Sequence, residues 1–174
     1  MVTSEHVEPS SDQRQLDNAR DFEAAYRDVS RSAYLLARQI GRRPDEARDI
    51  VQEAALRAWR YRTSRTGDFR PWFLTIVYRL CRRPILDWVP LPAGWDRPIT
   101  GGVDSAMDPD LVRALQSLPT RQRAAVWLRY CEDLAISDVA RIMRVRESAA
   151  KQLLFRGREA LRRRLQITPT EEYR

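Results

Sequence analysis

The chain has 174 residues, room for one ordinary domain or two small ones, and its 43% apolar content is enough to build packed cores. It contains no apolar run long enough to span a bilayer, and its first 30 residues are polar and acidic, so neither membrane insertion nor a secretory leader is expected and a cytoplasmic protein is predicted. The net charge of +7 points to an anionic partner, while Cys81, Cys131 and the single His6 lie too far apart to assemble a zinc site. No cofactor or metal is expected, and both thiols are expected to be buried or half-buried.

The charge is unevenly placed. Residues 1–30 hold seven acids against three arginines, residues 57–83 hold eight arginines against Asp68, and residues 141–165 hold nine bases against Glu147 and Glu159. Residues 1–17 lack periodicity and read as a disordered tail. From Asn18 to about Gly41, Phe22, Ala25, Tyr26, Val29, Ala33, Leu36, Ala37 and Ile40 recur at helical spacing. Pro44, Asp45 and Glu46 then suit the first turn of a second helix over about 45–62, where proline lacks no needed donor and carboxylates meet the positive helix end. A loop at SRTGD precedes a third helix over about 69–83, FRPWFLTIVYRLCRR, which Pro84 ends or kinks.

The second helix has two faces. Ala47, Val51, Ala54, Ala55 and Ala58 form the apolar stripe that packs on a core. Asp49, Gln52, Glu53 and Leu56 share another arc, and a leucine among carboxylates is odd on a solvated face. A Glu53–Arg57 pair is expected at i,i+4 spacing.

Five prolines and Gly94, Gly101 and Gly102 between residues 84 and 109 mark a linker, whose 89–107 segment could reach about 60 Å when extended. A second unit opens with Asp108 as N-cap and Pro109 at the first helical position. LP at 118–119 breaks that helix, and Thr120 is placed to cap the next, RQRAAVWLRYCED. The remainder, LAISDVARIMRVRESAAKQLLFRGREALRRRL, reads as a helix-turn-helix: Ala140 at the small contact position, Val139, Met143, Val145, Ala150 and Leu154 inward, and Arg144 at the turn where glycine is usual. Ala135 occupies a usual cap position. The second of these helices presents Arg146, Glu147, Ser148, Lys151 and Gln152, a set suited to base edges and phosphates, with Arg156, Arg158 and Arg162–Arg164 behind it for the backbone.

ARDIVQEAALRAWR, RPWFLTIVYRLCRR and the 117–165 segment, in that order, resemble the extracytoplasmic-function group of the bacterial sigma-70 family over about residues 20–84 and 108–165. The resemblance implies an all-α fold of two small helical domains joined by a Pro/Gly-containing linker: a tail at 1–17, a region 2-like domain at 18–88, a linker at 89–107, a region 4-like helix-turn-helix domain at 108–166 and a tail at 167–174. It implies a non-enzymatic sigma factor. Asp49, Gln52, Glu53 and Leu56 would meet the β′ clamp helices of core RNA polymerase, and the second domain would meet the β flap. Trp72, Tyr78, Arg79, Arg82 and Arg83 would serve the −10 element, with Trp72 more a core anchor than a base-stacker. Arg146, Glu147, Ser148, Lys151, Gln152, Arg156 and Arg158 would serve the −35 element. Promoter DNA and an anti-sigma factor complete the implied partners. Arg79 stands where asparagine is common, Pro84 comes early, and Leu153 replaces a common basic residue. The sequence also admits a helix-turn-helix regulator whose first unit dimerises, and a sigma-like protein that holds polymerase without starting transcription.

Overall fold

The computed structural model describes residues 19–65, 67–82 and 108–165, so the expected tails, the 89–107 linker, Pro84 and Arg83 lie outside the described residues. Every regular element among the described residues is helical. The first unit holds α1 (Ala19–Gln39), α2 (Pro44–Arg60) and α3 (Phe69–Cys81). The second holds α4 (Pro109–Gln116), α5 (Thr120–Val126), α6 (Ile136–Met143) and α7 (Glu147–Leu165).

In the first unit the predicted stripes face inward. Phe22, Val29, Ala33, Leu36 and Ala37 of α1 are buried, as are Ala47, Val51, Ala54, Ala55 and Ala58 of α2. Four alanines on one helix face let its neighbours approach closely, because interaxial distance follows side-chain size at the contact. Larger rings fill one end: Phe22 meets Trp59 edge-on at 5.2 Å and Phe69 at 5.7 Å, while Tyr26 meets Phe73 at 5.9 Å. Such pairs add about 0.5–1.5 kcal/mol beyond the area they bury. The Arg42 guanidinium donates through Nε to the Cys81 carbonyl at 3.1 Å, satisfying an orphan carbonyl where α3 ends.

The second unit opens as expected, with Asp108 Oδ1 accepting from the Asp110 N–H at 2.8 Å and Pro109 leading α4. Thr120 is not a cap. Pro119 holds the extended cap conformation and Thr120 is already the first residue of α5, so its hydroxyl lies one position too late to bond the open N–H groups. α5 continues as a π-turn over Trp127–Cys131, a wider coil than the expected uninterrupted helix, and Asp133 beyond it takes a positive φ of 49°. Ala135 caps α6 without a side-chain bond, and Arg144 sits at the α6–α7 turn with φ 54°, the left-handed conformation usually given to glycine. Val139, Ala140, Met143, Ala150 and Leu154 are buried and Val145 is half-buried, which matches the helix-turn-helix reading.

The two units share one apolar core. α3 lies between its own α1 and α2 and the second unit's α6, and α1 also meets α5. Nothing in the local periodicity announced this contact.

Candidate nucleic-acid interface

Expected contact residues fall on three helices, and their surroundings differ. On α2, Asp49, Gln52, Glu53 and Leu56 form a half-exposed arc opposite the alanine stripe. Glu53 accepts from Arg57 Nε at 2.6 Å, which holds the carboxylate in place, and Asp49 and Gln52 each engage a neighbour as well. The arc is thus a fixed mixture of carboxylate, amide and one apolar side chain.

Arg146, just before α7, and Glu147, Ser148, Lys151, Gln152, Arg156 and Arg158 on it are all exposed. Helical geometry gathers Ser148, Lys151, Gln152 and Arg158 on one arc. Arg158 is braced from α5's extension, donating to the Tyr130 hydroxyl at 3.4 Å. The centre of the arc is Phe155, 60% exposed, which sequence reasoning missed. The signal that could have found it is the one that marked Leu56: a large apolar residue three and four places from polar ones on a face that does not pack. Leu153, by contrast, is half-buried and packs on the core, so the missing basic residue there reflects a packing role.

On α3 the outcome is mixed. Arg79 and Arg82 are exposed. Trp72 is half-buried and leans on Phe69 at 5.9 Å, as a core anchor does. Tyr78, expected at the −10 element, is only 3% exposed and lies in the core of this arrangement. The physical reason is that α3 is apolar over most of its circumference, and that part of it packs inward. Arg82 lies 6.0 Å from the Tyr78 ring and supplies the nearest open cation.

The cysteines carry no reactive signature. Burial pushes the Cys81 thiol up to about 12, against a smaller opposing pull from Arg42. Cys131 is exposed, contrary to the expectation of burial, because the π-turn rolls it outward; partial burial of its sulfur and then the Glu132 carboxylate still push it up to about 11. No described helix is long and apolar enough to cross a membrane.

An all-helical pair of units, one ending in a helix-turn-helix with an exposed basic arc, defines a class of sequence-reading DNA-binding protein. Residues 25–87 match the family model of sigma-70 region 2, and residues 109–161 match that of sigma-70 region 4. The chain is 33% identical over 161 residues to the ECF RNA polymerase sigma factor SigM of Mycobacterium tuberculosis, covering 83% of this chain and 76% of that protein. It is 30% identical over 142 residues to the ECF sigma factor SigE of Mycolicibacterium smegmatis, covering 74% of this chain and 55% of that relative, so it spans little more than half the latter's length. In fold it is similar to the sigma factor RpoE of Bartonella quintana, solved with the anti-sigma factor NepR, with a TM-score of 0.65 at 22% identity over 87% of this chain and 100% of that one. The chain belongs to the extracytoplasmic-function group of the sigma-70 family, the RNA polymerase sigma factors that direct transcription initiation.

Proposed function

We propose that this sigma factor binds core RNA polymerase through the α2 arc of Asp49, Gln52, Glu53 and Leu56, and engages promoter DNA through both units. The charges on that arc orient the encounter while Leu56 supplies a desolvated anchor. Arg79, Arg82 and Arg83 place the −10 strand. The exposed face of α7 reads the −35 duplex, with Phe155 offering apolar contact to a thymine methyl between the donors Lys151 and Gln152. Two modest DNA affinities joined by a linker act as one through effective concentration. Catalysis belongs to the polymerase, and the working place is the cytoplasm. An anti-sigma factor, the kind of partner seen with the Bartonella relative, is the proposed regulator.

The observation that carries this reading is the fall of the two sigma-70 region matches, in order, on the two helical units. Run-off transcription with core enzyme from the same organism, coupled to transcript-start mapping, tests it. The chain is expected to direct discrete starts, and Asp49→Ala with Glu53→Ala is expected to weaken core binding about ten-fold or more. Core enzyme that gains no promoter from the purified chain contradicts the proposal.

A further inference from the structure

Resting on that reading, we infer that Arg42 is a positioning residue for promoter opening: from the turn between α1 and α2 it clamps the last carbonyl of α3, and so fixes where Arg79 and Arg82 meet the −10 strand. Arg42 is half-buried, and its guanidinium bonds a residue 39 positions away. Nε donates to the Cys81 carbonyl at 3.1 Å, and Nη2 donates to the same oxygen. That oxygen belongs to the planar peptide unit whose nitrogen is that of Arg82, the C-cap residue of α3. Holding it holds the backbone from which Arg82 projects.

The turn is built to aim this side chain. Helix α1 ends in a Schellman arrangement: Gly41 takes a φ of 94°, its N–H bonds the Arg38 carbonyl at 3.0 Å, and the Arg42 N–H bonds the Ala37 carbonyl at 3.2 Å. Arg38 Nη1 donates to the Arg42 carbonyl at 2.8 Å, so a second guanidinium braces the turn. On the far side the Arg43 N–H bonds Glu46 Oε2 at 3.2 Å, and Pro44 opens α2. The residue that reaches α3 is thus fixed from both helices that flank it.

The last turn of α3 has two faces. Tyr78 and Cys81, three apart, are buried, while Arg79 and Arg82, also three apart, are exposed. The closing carbonyls of a helix have no intrahelical donor, and an end left to water frays. Here the donor is a cation, which also meets the negative end of the helix dipole. A frayed end would leave Arg79 and Arg82 their charge but no fixed direction. Phosphate contacts set the register of a bound strand, and misplacement far from the reacting groups slows the step they serve. Arg42 therefore acts on opening through its neighbours on α3, its own guanidinium being engaged on Cys81.

The test uses the full chain with R42M, which keeps the aliphatic stem and drops the donors, and with R42K, R82A and the R42M/R82A pair. Hydrogen exchange read by mass spectrometry follows the last turn of α3 in the free chain. Permanganate reactivity of promoter thymines, with core enzyme from the same organism, follows the rate of opening. R42M is expected to speed last-turn exchange and to slow opening, each about ten-fold or more, while affinities for core enzyme and for the −35 duplex stay within about two-fold of wild type. R42K still offers a donor to the carbonyl and is expected to open within about three-fold of wild type. The pair is expected to lose about three-fold less than the product of the two single losses, because residues that act through one another are not additive. Unchanged exchange in R42M overturns the clamp. Single losses that multiply in full, or a loss of core affinity as large as the loss of opening, give Arg42 a general structural role and overturn the positioning role. If R42M loses helicity throughout, R42Q is read by the same criteria. A wild type that opens no promoter overturns the sigma reading and leaves the exchange measurement to decide the clamp, whereas wild-type opening that R42M leaves unaltered overturns the positioning role alone.

Discussion

Eight of the thirteen residues of α3 are buried, whereas α7 buries three of nineteen and leaves its basic arc in solvent. Both helices are flanked by arginines and both are proposed to meet DNA. The difference teaches that a basic, aromatic-rich helix can be assigned to nucleic acid and still be closed to it. Helix α7 rests on α4, α5 and α6 by one stripe, and its polar face is ready as it stands. Helix α3 turns most of its surface inward, and Arg70 at its start and Arg79 and Arg82 at its end are the arginines that look outward.

The largest effect expected from this contrast is on stability. Phe73→Ala empties a fully buried site among Phe69 and Tyr26, and is expected to cost about 3–5 kcal/mol in urea unfolding. Phe155→Ala, the matching removal on α7, is expected to move stability by less than about 0.5 kcal/mol while weakening the mapped −35 duplex in anisotropy titrations. A large loss of stability from Phe155→Ala would break the contrast.

Gly157→Ala sharpens it from the packed side of α7. A β-carbon there would lie 2.6 Å from Val126 Cγ2, and a β-branched neighbour yields little. The expected cost is about 1–3 kcal/mol, seen as a lower melting temperature. Ala135→Ser, at the uncapped start of α6, is expected to raise stability by about 1 kcal/mol, and Arg144→Gly at the left-handed turn by roughly as much. Both are checked by the same thermal unfolding.

The smallest effect is chemical. At pH 7–9 Cys81 is expected to resist alkylation in the folded chain, being buried and protonated, while Cys131 reacts slowly and gains rate as pH climbs towards about 11. Rapid labelling of Cys81 at neutral pH in the wild type would mean that the cover over α3 is already loose.

Much of this was legible in the residues. The 3.6-residue period separated the alanine stripe of α2 from its carboxylate arc, Asp108 and Pro109 marked the start of α4, and Ala140, Val139 and Met143 marked the helix-turn-helix interior. Those features are local: each depends on spacing within one helix or one turn, where propensity, capping and amphipathicity act directly. The burial of Tyr78, the inward turn of Glu132 and the exposure of Phe155 came only from the tertiary structure. Period reveals which residues share a face but not what covers that face, and the side-chain bonds between the two units join residues 62 and 84 positions apart, beyond the reach of any local pattern.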